Sequence, residues 1–381
     1  MSSFGLPIVS TGGSPELKQV GSDQTVAGAN EWMIPVDDGQ GGVVVSCVAG
    51  FEIWIARIAD PTSPAAFAAP RWASLGIVDV SDIAHIYAHG YHWIVYADIP
   101  ASGEDNTAIW LIQIDRSSLT VVGSPVLIND PYQRHLSTGP APLLDPAVYT
   151  EFEKIVGNDS CLVKGSPKYI TIVTGYGGRK PLFISVAVPR GGPVTLRSVV
   201  AKGADTFDVG GSAKWDLDPG AVTASPFRVR LVTSSMLAVN DDFEGAVNVV
   251  DFDPTFATSS GPGISLAALG TYNYAMGTLE HFNRGSIVDY QLLTCRRQNV
   301  NSWFAGADEG QIVRHWFTGA ISYTQGIVEE VESGQGGNRP HTLRYASQDG
   351  VGYLITCWSF KEQSGDSASQ KVRVDRLRWV R

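Results

Sequence analysis

Charge is scarce in this chain, and positive charge is scarcer still. Of 381 residues, 17% are charged, with 28 Lys and Arg against 38 Asp and Glu, for a formal net charge of −10. A surface of that sign argues against nucleic acid as a partner, because nonspecific binding needs Lys and Arg to displace counterions from phosphates. It also disfavours anchoring to anionic lipid. No apolar run approaches the roughly 20 residues that span a bilayer, so no membrane insertion is expected. The opening Met-Ser-Ser-Phe-Gly-Leu-Pro has neither a basic segment nor an apolar one, and reads as the start of a chain made in the cytoplasm without a signal peptide. Cysteine is limited to Cys47, Cys161, Cys295 and Cys357. None shows CxxC spacing, so no zinc site is expected. Three of the four lie in apolar runs and read as buried free thiols, in keeping with a reducing compartment. A Gly-x-Ser-x-Gly elbow is missing. Gly-Tyr-Gly-Gly-Arg-Lys (175–180) has no following helix signal, and so reads as a hairpin turn, not a phosphate loop. No cofactor is implied.

What the chain has is apolar residues in short runs, with turn residues between them. Hydrophobic residues make up 44%, with 41 Gly and 21 Pro. The clearest unit is Ser-Asp-Ile-Ala-His-Ile-Tyr-Ala-His-Gly (81–90), Tyr-His-Trp-Ile-Val-Tyr-Ala-Asp (91–98), Ala-Ile-Trp-Leu-Ile-Gln-Ile-Asp (108–115) and Leu-Thr-Val-Val-Gly (119–123). Each piece is rich in β-branched and aromatic residues and is bounded by Gly, Asp, Asn or Ser, the signature of strands joined by tight turns. Four such strands in succession form an antiparallel meander.

The pattern recurs. The unit just described covers about 80–130 and is the second meander; the others are expected at about 30–79, 159–201, 212–270, 277–332 and 339–381. An insertion at 131–158 carries helix-start signals at Asp145-Pro146. The last meander has only three strands, at His341–Tyr345, Gly352–Phe360 and Val372–Val380. The early piece Glu16–Val20, within 15–21, is the candidate to supply its fourth and so protect the exposed edge. Repeated four-stranded meanders of this size resemble the blades of the β-propeller superfamily. The fold expected for residues 1–381 is therefore all-β: a six-bladed β-propeller of four-stranded antiparallel blades in one domain, closed by an N-terminal strand that completes the last blade. WD, kelch and sialidase-type repeat motifs are absent.

In such a fold the innermost strands line a channel, and their ends form its mouth. Five expected inner strands begin with an acid (Glu31, Asp82, Asp159, Asp216 and Glu280) and the sixth with His341. Arg284, Arg344 and Lys164 lie on or just after inner strands and would neutralise that ring. Crowded carboxylates drive their pKa values apart, which is how one site holds both an acid and a base. Five-bladed arabinanase- and xylosidase-type propellers are similar in placing three acids at inner-strand starts. That resemblance implies Asp82 as general base, Asp159 as pKa modulator and Glu280 as general acid of an inverting glycoside hydrolase. The expected blade number differs from theirs. Turn chemistry alone also places Asp and Asn at strand starts. His85 and His89, evenly spaced, would share one face of a strand, either as polar surface or as a metal pair.

Three functions fit these features. The first is a non-catalytic binding or assembly module, of the kind found at a viral or phage tail or fibre tip, that recognises a surface glycan or neighbouring virion subunits within a larger complex. The second is the inverting hydrolase. The third is an intracellular scaffold for protein partners, which predicts an exposed apolar patch.

Overall fold

The computed structural model describes residues 14–29, 33–99, 108–130, 135, 139–144, 161–163, 169–176, 180–188, 193–201, 216–218, 229–239, 242–252, 259–265, 273–284, 287–297, 309–317, 323–332, 341–347, 349–360 and 369–380, with backbone alone from 197 to 346. The chain is all-β: among the described residues the one helix is the single turn α1 (Ala65–Ala68). Two compact units are present, one of Met1–Ser74, Ala238–Glu244 and Leu269–Arg381, the other of Leu75–Leu237 and Gly245–Ala268.

The first unit opens with β1 (Ser14–Gln19), β2 (Gln24–Val26), β3 (Ile34–Asp37), β4 (Val43–Ala49), β5 (Glu52–Ile58) and β6 (Ala73–Ser74). The second unit contributes β7 (Val80–Ala88), β8 (Tyr91–Asp98), β9 (Ile109–Asp115) and β10 (Val126–Asn129), then β11 (Cys161–Val163), β12 (Tyr169–Tyr176), β13 (Lys180–Ala187) and β14 (Thr195–Ala201). It also holds most of β15 (Asp216–Asp218), β16 (Val229–Val239), β17 (Asp242–Phe252) and β18 (Ser259–Ser265). The chain returns to the first unit with β19 (Asn273–Arg284), β20 (Ile287–Arg297), β21 (Glu309–Phe317) and β22 (Tyr323–Glu332), and ends in β23 (His341–Ala346), β24 (Gly352–Phe360) and β25 (Ser369–Val380). The described strands form six antiparallel sheets, five of them in simple sequential order.

The sixth sheet has the order β1-β25-β24-β23, with β2 also on β25. β1 runs antiparallel to the end of the chain, from Ser14 opposite Val380 to Gln19 opposite Asp375. β2 continues along the same strand, from Gln24 opposite Val372 to Val26 opposite Gln370. The backbone groups of the β25 edge, which three C-terminal strands alone would leave open, are thus taken up by the N-terminal segment. Buried Gln370 adds a tie to the next sheet by accepting a hydrogen bond from the Met33 amide at 3.1 Å.

Each unit has its own core, made where two sheets pack face to face. In the first unit Val43, Val45, Cys47, Ala56 and Ile58 meet Ile355, Cys357, Val372 and Val374, with Phe67 of α1 filling the end. In the second, Ile86, Trp93, Val95, Ile109, Leu111 and Ile128 meet Ile170, Ile172, Ile184 and Val186. Each fully buried aliphatic or aromatic side chain contributes about 1.5–3 kcal/mol. The run Val-Val-Val-Ser-Cys-Val of β4 is buried on both faces, which is why it lacks the alternation of a half-exposed strand. Cys47 and Cys357 are free and buried, and burial pushes the Cys357 thiol well above its ordinary value.

The first strands of successive sheets lie beside one another within each unit. β11 contacts both β7 and β15, and β23 contacts both β3 and β19. Meanders whose first strands converge are arranged as consecutive blades are.

Several expected boundaries shift. The outer strand of the second meander is Val126–Asn129, not 119–123. Asp115 caps the backbone amides of Ser117 and Ser118 at 2.9 and 2.8 Å, Leu119 turns to φ 55°, and only Val121 bridges back, to Ile114. The outer strand of the 30–79 meander is only Ala73–Ser74, and Gly76 turns away after it at φ 68°. His89 does not share a strand face with His85. It has φ 58° and, with Gly90 at 84°, makes the two-residue turn between β7 and β8. Positive φ at both central residues is the mark of a type I′ hairpin. The expected helix near Asp145 lies outside the described residues.

Candidate functional site

The second meander carries the densest group of polar side chains among the described residues. One face of this sheet forms the apolar core of its unit. The other alternates with it and presents Ile83, His85 and Tyr87 from β7, His92, Ile94, Tyr96 and Asp98 from β8, and Trp110, Ile112 and Ile114 from β9, as the cross-strand register requires.

At one end of this face the polar groups are sealed. His85 and His92 are 6% and 0% exposed, and their rings meet through Nε2 and Nδ1 at 3.1 Å. One proton serves both nitrogens. Burial, and then the neighbouring imidazole, hold His85 well below its ordinary range, so its ring is neutral. Tyr87 lies against His92 with ring centroids 5.2 Å apart and accepts a hydrogen bond from the Arg116 guanidinium at 2.9 Å.

At the other end the strands stop and a partly open group forms. Asp98 closes β8. Its Oδ1 accepts the Ala108 amide at 2.7 Å, which ties the start of β9, and its Oδ2 lies 3.0 Å from His135 Nε2. Asp130, just beyond β10, accepts the His135 backbone amide at 2.8 Å through Oδ2. Its Oδ1 is buried with no hydrogen-bond partner, although Asp130 is 0% exposed. A carboxylate oxygen in that position lacks the donor that buried acceptors normally have. His135 stands edge-on to Trp110 with centroids 5.0 Å apart, and Trp110 lies parallel to Tyr96 at 6.2 Å. Burial, with the Asp98 charge behind it, keeps the Tyr96 phenol protonated and able to donate. The Asp98 and His135 side chains are 12% and 30% exposed, so solvent reaches both.

Asp82 belongs to the same end. It lies near the start of β7, opposite Ala97, and the register slips between Val80 and Asp82. The Ser81 hydroxyl donates to the carbonyls of Ala97 and Asp98 at 3.2 and 3.0 Å and fixes this bulge.

The other expected site residues are dispersed over the two units. Asp216 begins β15 of the second unit, opposite Val232. In the first unit His341 begins β23, opposite Cys357, Arg344 faces Leu354, and Arg284 ends β19, opposite Ile287. Glu280 lies in the middle of β19, opposite Gln291, and not at its start, because the strand begins at Asn273. Glu31, Asp159 and Lys164 lie outside the described residues. No group of three or more His, Cys, Asp or Glu suited to a metal ion occurs among the described residues, and no described helix is long and apolar enough to cross a membrane.

Sequence reading missed Asp98, Asp130, His135 and Trp110. Asp98 was visible as the acid ending 91–98: in a hairpin, an acid closing the second strand returns to the end where an acid near the start of the first strand lies. His135 gave no signal, since it reaches Asp98 only through the path of the chain after β10.

No protein-family model and no curated protein matches the chain. Solved structures do. The crystal structure of a triple arginine-to-alanine variant of AofleA from Arthrobotrys oligospora is 9% identical at a TM-score of 0.51, with 99% of this chain and 89% of that one covered. Trypanosoma rangeli sialidase is 11% identical at 0.51, over 96% of this chain and 60% of the sialidase. A levansucrase variant from B. megaterium is 10% identical at 0.44, over 80% and 85%. The chain resembles the β-propeller superfamily in fold.

Proposed function

We propose that the protein is a glycan-recognising β-propeller whose saccharide contacts include the Asp98–His135–Trp110 end of the second meander. The observation that carries the reading is this group itself. A partly exposed indole offers an apolar platform for a sugar ring, and a carboxylate, an imidazole and a phenol stand beside it to pair with hydroxyls. Sites for small polar ligands are built of this mixture: apolar walls with a few placed polar groups. The likeness to a sialidase in fold agrees with it.

The reading takes each four-stranded sheet as a blade, with β1 completing the last one. Within the second unit the reading takes Asp82 and Asp216, near the starts of the first strands β7 and β15, as candidate contacts; within the first unit it takes His341 at the start of β23, while Glu280 lies mid-strand in β19 and Arg284 at its end. The reading does not extend to a virion, a tail assembly or a protein scaffold, for which no described residue supplies support.

A second reading is an inverting glycoside hydrolase, kept because the carboxylate Asp82 lies near the start of a first strand. It assigns Asp82 as base, Asp159 as modulator and Glu280 as acid, and it requires two carboxyls about 6.5–9.5 Å apart across the scissile bond. Asp98 joins Asp82 as a further carboxylate candidate.

A glycan array combined with a chromogenic-glycoside screen separates the readings. Wild type should retain a defined glycan class, and Trp110→Ala should lose it. Turnover that is abolished in Glu280→Gln would establish the hydrolase; binding without turnover would retire it. Absence of binding to any saccharide would overturn both.

A further inference from the structure

His135 is fixed at its backbone and at one ring nitrogen, and open at the other. Its amide donates to Asp130 Oδ2 at 2.8 Å, and its carbonyl accepts the Gly139 amide at 2.7 Å. Asp98 Oδ1 accepts the Ala108 amide, which holds that carboxylate in place, and its Oδ2 lies 3.0 Å from His135 Nε2. An ionised carboxylate only accepts, so Nε2 carries the proton and the neutral ring keeps its lone pair on Nδ1. Nδ1 has no hydrogen-bond partner among the described residues and is not one of their buried unpaired atoms, so it faces water on a partly exposed side chain. Trp110 stands edge-on to the imidazole with centroids 5.0 Å apart and limits its swing. Gly139 approaches closely: a Cβ there would meet the His135 Cβ and carbonyl oxygen at 3.1 Å. A carboxylate behind an imidazole adds little to a hydrogen bond with a sugar hydroxyl. It matters when the ring takes up a proton, because it pairs the imidazolium that forms.

Resting on the glycan reading above, we propose that His135 is the general base for hydrolysis of an acyl ester carried by the bound saccharide, such as an O-acetyl group. A water at Nδ1 gives that nitrogen a proton as its oxygen bonds to the ester carbon, and the carbonyl electron pair moves onto the carbonyl oxygen. When that pair returns, the bond from the acyl carbon to the sugar oxygen breaks. The leaving sugar oxygen takes the proton back from Nδ1, and a carboxylic acid and a free sugar hydroxyl depart. Asp98 is a positioning residue: it sets the tautomer and pairs the imidazolium. The reaction differs from glycosidic cleavage in needing no second carboxyl across the scissile bond.

The test follows ester cleavage by the full chain on two probes: 4-methylumbelliferyl acetate, and the glycan retained on the array after chemical O-acetylation, with acetate release as the readout. Wild type should cleave both. His135→Gln should lower kcat by about 100- to 10,000-fold, and His135→Ala should regain part of its activity on the acetylated glycan when imidazole is added, above the protein-free blank. Asp98→Asn keeps the acceptor for the Ala108 amide and should lower kcat by about 10–100-fold, with the larger change in kcat and the smaller in KM. Gly139→Ala shifts His135 without removing it and should also lower kcat; if His135→Gln does not fold, an undiminished kcat in Gly139→Ala overturns the inference. Turnover should survive EDTA, and its loss there would make His135 a metal ligand and overturn the base. No release by wild type from either ester, or equal turnover in His135→Gln, overturns the inference as well. If the array still retains a glycan in that case, the glycan reading stands; if it retains none, both fall.

Discussion

The two ends of the β7–β10 sheet are made of similar parts and have different uses. Each has an imidazole, a phenol and a partner that fixes the geometry. At the sealed end His85 and His92 face each other under full burial, and their hydrogen bond is spent on holding the sheet. At the open end His135 and Asp98 meet at 3.0 Å where strands stop and solvent enters. The difference shows that burial, more than residue type, separates a structural histidine from one that can meet a ligand. At the sealed end desolvation enforces the neutral form of His85. In the open pair the groups remain within reach of a partner.

The comparison can be broken at several points. The largest effect is expected from Trp93→Ala on the apolar face, which removes a fully buried indole and its hydrogen bond to the Ala88 carbonyl. It should cost about 3–5 kcal/mol, read as a loss in the denaturant midpoint. Trp110→Ala should cost clearly less, because that indole is already partly exposed, yet it should abolish glycan binding. A stability loss of similar size for both would erase the distinction between the faces.

Next comes the pair itself. His92→Ala leaves the His85 Nε2 without this partner in a buried site and should cost about 1–3 kcal/mol. His135→Ala, at the exposed end, should cost about 1 kcal/mol or less. Equal costs would mean that the open end is as structural as the sealed one.

A smaller, pH-dependent effect follows from His85, whose folded value lies well below its ordinary 6.5. The unfolded chain takes up a proton near 6.5 that the folded chain refuses. This contribution to stability is therefore complete above that pH and declines as the pH falls below it, until the folded value is reached. Urea midpoints measured on both sides of 6.5 should drop on the acid side, and drop less in His85→Gln. An identical acid dependence in that variant would assign the effect to carboxylates elsewhere.

Much of the fold was legible because short apolar runs stand between turn residues. Tyr91–Asp98, Val43–Ala49 and Gly352–Phe360 are bounded as their residues imply, and the pairing of the N-terminal strand with β25 could be expected from the missing fourth strand. Where local polar chemistry competed, the reading failed. Leu-Thr-Val-Val has strand propensity, but the Asp115 cap and the left-handed Leu119 divert it, so Val126–Asn129 forms the edge. The site was less legible than the fold. The carboxylates near inner-strand starts include Asp82, which lies at the open end, but that end also depends on His135. Its approach to Asp98 spans 37 residues of sequence, and nothing local to either residue records it.

Hydrogen exchange tests the central claim most directly, by comparing both ends of one sheet in one experiment. With a saturating glycan of the class retained on the array, amides of Asp98, Ala108 and His135 should exchange more slowly, while those of Ala88 to His92 at the sealed turn should be unchanged. Protection at the sealed turn, or protection confined to sheets other than β7–β10, would contradict the account.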